Sequence, residues 1–214
     1  MKRIPSSHVV LFAGVTAILL WSGWQPYDRM TWWLEIAPGL AGLLVLIATY
    51  RRFRLTTLCY TLIAIHISIL CVGGHYTYAR VPLFDWLRPI FGWQRNHFDR
   101  LGHFAQGFVP AIIARELYLR LQIFNRRRWM PFLILCTCLA ISAVYELIEW
   151  WTALLSGDAA TAFLATQGDV WDTQEDMFFA LIGATCSLLF LSRLHDRQLA
   201  DVFPHESAKI HHGL

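Results

Sequence analysis

Seven carboxylates and one imidazole gather near the ends of three apolar segments: Asp99 with His103, Glu146 with Glu149, and Asp169, Asp172, Glu175 and Asp176. Ionisable groups at the edge of a bilayer are costly to desolvate, so such a gathering points to binding or catalysis. Asp99, His103 and Gln106 are spaced four and then three apart, which puts them on one helical face. From the helical rise, His103 would lie about 6 Å and Gln106 about 10 Å below Asp99. A carboxylate beside an imidazole raises its basicity and can fix its tautomer. The pair can act as a general base or as two ligands of one cation, and its bland alternative is an interfacial ion pair.

Ser142, Glu146 and Glu149 form an i, i+4, i+7 stripe. Two acids on one face repel unless a proton, a cation or an arginine stands between them, and Arg80, Arg95 and Arg100 are the available arginines. Glu149 is then the candidate general acid. The run from Asp169 to Asp176 opens the last apolar segment; helix capping and the helix dipole explain one or two of its four acids, not all. Asp172 and Asp176 are four apart. Gly183, Ala180, Ala184 and Ser187 follow as a small-residue stripe that allows close helix approach. Glu146, Asp172 and Asp176 are candidate ligands of a divalent cation, with Mg²⁺, Mn²⁺ and Zn²⁺ all suited to oxygen ligands plus one imidazole. No phosphate loop, HExxH motif or Gly-x-Ser-x-Gly elbow is present.

The elements that must carry these groups are transmembrane helices. The 214 residues are 56% hydrophobic and only 15% charged, against about a quarter charged in soluble domains. Six spans are predicted: His8–Trp24, Trp32–Tyr50, Leu55–Gly74, Leu101–Leu119, Pro131–Trp151 and Asp176–Leu194. Each is near the ~20 residues needed to cross the hydrocarbon as a helix. The fourth is interrupted by His103, Gln106, Arg115 and Glu116, so it should lie buried among the others. Residues 1–194 thus form one all-α, six-helix transmembrane domain, and residues 195–214 a short polar cytoplasmic tail in which His211 and His212 are solvated.

Twelve of the eighteen Lys and Arg residues fall on the side of the termini and five on the other. The positive-inside rule therefore puts both termini in the cytoplasm and the acidic cluster outside. Nine of the ten tryptophans lie at the outer ends of the spans, as an interfacial belt would. The net charge of +3 is explained by these topology signals and by anionic lipid, with no nucleic acid as partner. All five cysteines lie within spans and read as packing residues. Trp21, Trp24 and Tyr27 after the first apolar stretch argue for an uncleaved first helix. His66 reads as hydrogen-bonded packing, Glu116 with Arg120 as a structural i, i+4 pair, and Arg115 as snorkelling to inner headgroups. His75, Tyr76, Tyr78 and Arg80 could rim the outer pocket.

Three blocks carry a resemblance: Asn96 to Phe104 (NHFDRLGHF), Tyr145 to Trp150 (YELIEW) and Gly168 to Met177 (GDVWDTQEDM). Together they resemble the YjdF-like family of bacterial inner-membrane proteins, and the likeness runs along nearly the whole chain. It implies a bacterial plasma membrane rather than an activity. A more distant likeness is to VanZ-like membrane proteins, associated with glycopeptide-antibiotic resistance, through Asp99-x-x-x-His103-Phe104, Glu146 and Asp172-x-x-x-Asp176. This chain departs from that pattern at Glu149, where Gln is expected, and at Asp176, where Asn is expected. It also lacks an arginine between the last two blocks.

Three functional classes follow. The first is a membrane-embedded hydrolase or transferase acting on a lipid headgroup or lipid-linked envelope intermediate. In it Glu146, Asp172 and Asp176 hold a cation, and His103, oriented by Asp99, serves as base or fourth ligand. The second is a non-enzymatic accessory that binds lipid or a partner protein, and the third an ion-coupled transporter. The sequence carries no signal for a particular oligomeric state. Asp99, His103, Glu146, Asp172 and Asp176 should converge within about 10 Å, a span that bridging ions or waters can join.

Overall fold

The computed structural model describes residues 4–124, 127–156 and 166–203. It is all-helical: α1 (Ser6–Gly23), α2 (Arg29–Thr49), α3 (Thr57–Tyr76), α4 (Pro82–Phe91), α5 (Phe98–Arg120), α6 (Met130–Ser156) and α7 (Asp172–Val202). Single 3-10 turns lie at Tyr78–Arg80 and Arg127–Trp129, and no strand occurs among the described residues. The chain is a polytopic membrane protein. Five helices, α1, α2, α3, α6 and α7, are long and apolar enough to cross a bilayer.

Local chemistry sets the helix starts. The Asp28 carboxylate accepts the Thr31 N–H at 2.7 Å and caps α2. Thr56 caps α3 by accepting from the Cys59 N–H at 3.4 Å. Pro82 opens α4, and Gly92 closes it in the left-handed region at φ 67°.

The polar fourth segment becomes α5, whose 23 residues would measure about 34 Å at the helical rise. Thirteen of them are buried, including Asp99, His103, Gln106 and Glu116. α5 is thus the centre of the bundle, and α7 lies directly against it. The small-residue stripe explains how: a Cβ on Gly183 would stand 2.0 Å from the Phe104 carbonyl oxygen, and one on Gly107 only 1.7 Å from that of Ala180. The two backbones touch because neither glycine has a side chain.

Three details differ from the sequence expectation. The last helix does not end at Leu194 but runs to Val202, with His195 and Leu199 buried, because these residues still face α5 and its neighbours. Residues 204–214, with His211 and His212, lie outside the described residues. An unanticipated helix, α4, joins α3 to α5. Its Leu83, Trp86, Ile90 and Phe91 are all exposed, and the first three share a face at i, i+3, i+7. Such a short amphipathic helix suits the plane of a membrane interface.

The third difference is at the end of the bundle rich in arginine. Glu116 is fully buried and is more than half of an ion pair. It accepts from the Thr56 hydroxyl (2.7 Å) and N–H (3.0 Å), the Cys59 thiol (3.1 Å), Arg120 Nη1 (2.9 Å) and His195 Nε2 (3.0 Å). Arg115 does not snorkel: it donates to His195 Nδ1 at 2.9 Å and to Asp196 at 2.7 Å. Arg120 is held between the rings of Phe53 and Phe203. One carboxylate thereby ties α3, α5 and α7 together.

Candidate functional site

At the opposite end of the bundle, the α5 face spaced four and three apart forms as expected. His103 Nδ1 lies 3.0 Å from Gln106 Oε1. An amide oxygen can only accept, so Nδ1 carries a proton and Nε2 faces away from Gln106. Nε2 then points among three carboxylates: Asp99 Oδ1 at 3.6 Å, Glu146 Oε1 at 3.8 Å and Asp176 Oδ2 at 3.8 Å. The four side chains come from α5, α6 and α7 and are all at most 8% exposed.

The distances carry the chemistry. Each exceeds a hydrogen bond, and a protonated imidazole would be drawn onto one acceptor rather than held nearly equidistant from three. Glu146 Oε1 and Asp176 Oδ1 are buried without a hydrogen-bond partner among the described residues. Buried carboxylates gathered around one imidazole without hydrogen-bond partners for all their oxygens are costly unless a proton or a cation joins them. Tetrahedral zinc ligands sit at about 2.0–2.1 Å from the metal and so about 3.3–3.4 Å apart. The three gaps measured to His103 Nε2 are a few tenths wider. The ligand atoms of Asp99, His103 and Asp176 all lie within 4.8 Å of one another.

Asp172 has another role. Its Oδ1 pairs with Arg95 Nη2 at 2.5 Å, and Arg95 Nη1 also reaches Asp169 at 3.0 Å. Burial works against the charge on Arg95, but Asp172, Asp99 and Asp169 outweigh it and hold the guanidinium's pKa above its ordinary value. Arg100 binds Asp169 at 3.3 Å and also Glu175. The Trp171 N–H, ahead of these arginines, pulls the Asp169 pKa below the usual range. The four acids at the start of α7 therefore split. Asp169, Asp172 and Glu175 meet arginines from the segment before and at the start of α5, while Asp176 alone turns inward to His103.

Glu149, three residues beyond Glu146 and on the same side of α6, has different neighbours. It lines a cavity of about 150 Å³ between α2, α3, α5 and α6, together with Glu35, His66, Tyr78, Asp99 and His103. Tyr145 Oη donates to Glu35 Oε2 at 3.1 Å inside it. Tyr78 fills a slot between α3 and α5, where a Cβ on Gly73 or Gly102 would come within 2.2 or 2.8 Å of its ring. Of the residues expected at the rim, Tyr78 alone reaches the cavity; His75 bonds to the Ser22 carbonyl and Arg80 lies over Tyr27. His66 is a lining group rather than plain packing.

Glu35 and Tyr145 belong to the site although the sequence does not mark them as site residues. Arg95, by sequence one possible counter-charge for Glu146 and Glu149, pairs with Asp172 instead. The Glu35 signal was available: an acid seven residues into an apolar helix.

A second group, Cys59, Glu116 and His195, also has metal-compatible spacing. The Arg115 bond to His195 Nδ1 forces the proton onto Nε2, which donates it to Glu116, so that group is a hydrogen-bonded knot rather than a ligand set.

A bundle of long apolar helices around a polar central helix, with an acid-and-imidazole cluster at one end, defines a multi-pass membrane protein with a buried polar site. Residues 7–197 match the family described as "Predicted membrane protein (DUF2238)", and the chain belongs to that family. It is 51% identical over 185 residues to the Inner membrane protein YjdF of Escherichia coli (strain K12), covering 86% of this chain and 88% of that relative. No solved structure matches. The matched family and relative do not bear out the VanZ-like likeness.

Proposed function

We propose that Asp99, His103, Glu146 and Asp176 bind a divalent cation in a membrane-embedded hydrolase or transferase. Its substrate would be a lipid headgroup or a lipid-linked envelope intermediate at the periplasmic face of a bacterial inner membrane. The observation that carries this reading is His103 Nε2 centred among three buried carboxylates, two of which have partnerless oxygens. The cation would supply Lewis acidity and a lowered pKa for water. Asp172 and Arg95 hold the start of α7 beside it. Glu149, on the wall of the adjoining cavity, is the proton donor. The six-span topology with both termini cytoplasmic, which puts this end outside, is part of the same reading.

Transport is less well supported. Val109, Ile112, Leu58 and Leu62 form an apolar cluster on α3 and α5 between the cavity and the Glu116 knot, so no polar path links the two ends among the described residues.

Metal analysis of the purified protein, with lipid profiling of cells carrying variants, tests the proposal. Near-stoichiometric Zn²⁺ or Mn²⁺ should fall sharply in Glu146→Ala and Asp176→Ala, because the remaining acids then repel without a complete shell. His103→Ala should abolish a change in one lipid species while the protein stays in the membrane. A wild-type protein that binds neither metal and leaves the lipid profile unchanged would refute both halves.

A further inference from the structure

At the arginine-rich end, far from the acidic cluster, a groove of about 380 Å³ opens between α1, α2 and α3. That is within the ~300–1,000 Å³ typical of small-molecule sites. Its walls are aliphatic, with Val15, Leu43, Leu46, Ile63 and Ile67. Its mouth is of different chemistry and is built from buried parts. His8, 8% exposed, bridges Tyr50 Oη at 2.8 Å and Thr57 Oγ1 at 3.0 Å. Its ring rests 4.5 Å from that of Tyr60. Tyr60 Oη accepts the Leu55 N–H at 3.3 Å, which leaves the phenolic proton to donate. Arg51 lines the groove at the same level.

A long apolar slot that ends in a guanidinium and phenol hydroxyls is complementary to one molecule class. We propose that the groove binds a phospholipid with an anionic headgroup, one acyl chain lying along α1, α2 and α3 and the phosphate meeting Arg51 and Tyr60. Guanidinium–phosphate contacts are among the strong charge-assisted hydrogen bonds, and basic pockets between transmembrane helices hold anionic headgroups. His8 acts as a positioning residue: it fixes Tyr50 and Tyr60 at the mouth. This site is independent of the cation cluster and of any chemistry there.

Full-length protein, stripped of lipid in detergent, is titrated with phosphatidylglycerol or phosphatidylcholine in mixed micelles while its thermal unfolding is followed. Phosphatidylglycerol should raise the unfolding temperature to a plateau at lower lipid content than phosphatidylcholine. Arg51→Gln should shift the phosphatidylglycerol half-point by about fivefold and leave phosphatidylcholine unaffected, the size expected for one lost arginine–headgroup contact. Ala48→Trp, on the exposed groove wall, should remove saturation by both lipids. Leu44→Trp, an exposed position outside the groove, should not. Equal response to the two lipids, no effect of Arg51→Gln, or identical behaviour of the two tryptophan variants would overturn the proposal.

Discussion

Replacing Gly183 by Ala tests whether the α5–α7 contact sets the geometry of the candidate site. The added Cβ would stand 2.0 Å from the Phe104 carbonyl oxygen, 2.9 Å from its carbon and 3.0 Å from the Phe108 nitrogen. All three are backbone atoms, so no side chain can rotate away. Restoring an ordinary contact near 3.4 Å means parting the helices by roughly 1.4 Å, and overpacking of this kind costs about 1–3 kcal/mol. Asp176 lies two turns away on the same face, about 10 Å along the axis. A parting of that size would stretch the 3.8 Å His103–Asp176 gap to about 5 Å, well beyond the ~3.4 Å between ligands of one zinc ion. The variant should therefore unfold at lower temperature in detergent and bind Zn²⁺ or Mn²⁺ weakly, although residue 183 touches no ligand. Gly14→Ala is the control, since a Cβ there meets nothing within 4 Å, and the loss of a helical glycine should leave stability equal or higher. Matching unfolding temperatures for the two variants would refute the close-packing argument. Lowered stability with full metal binding would refute its link to the site.

Two further outcomes are expected. Glu116→Ala strands Arg120 and His195 in the buried knot and should cost about 3–5 kcal/mol, as loss of one partner of a buried ion pair does; chemical unfolding in detergent measures it, and a loss within ±0.5 kcal/mol of wild type would refute the structural role. Asp169 has a depressed pKa in the folded protein, caused first by the Trp171 N–H and then by Arg95 and Arg100. Its contribution to stability is therefore fully present above its unfolded pKa and is lost as pH falls through the lower folded value. Asp169→Asn should therefore lower stability at neutral pH, flatten the acid limb of the unfolding profile below pH ~4 and converge with wild type at the acid end, and an unaltered acid limb would count against the ion pair.

The helical architecture was legible because hydropathy reports burial in lipid directly. The site was legible in part because helical spacing reports faces: Asp99, His103 and Gln106 share one, and Gly183 with its small neighbours marks the contact that brings Asp176 to His103. Spacing along one helix says nothing of partners on another. Arg95 could not be assigned to Asp172, 77 positions later, without knowing how the α4–α5 segment folds over α7. Glu35 enters the cavity from α2, where its only sequence signal is one acid in an apolar run. The knot at Glu116 was hidden for the same reason: its i, i+4 arginine explained it well enough locally, while His195 looked like the start of a tail. α4 is only ten residues long, too short to register as a span, and its role lies in an apolar face.

The polarity of α5 also bears on how the protein is made. With His103, Gln106, Arg115 and Glu116 in one helix, α5 is a poor substrate for lipid on its own, and the helix that covers its backbone most closely, α7, is synthesised last. Chains cut before Asp172 should therefore leave α5 incompletely inserted, which labelling of the segment between α5 and α6 from either side of the membrane would reveal. The cluster around His103 then exists only in the finished molecule. A half-made chain carries every acid except Asp176, its neighbours and the late tail, but no enclosed place for a cation.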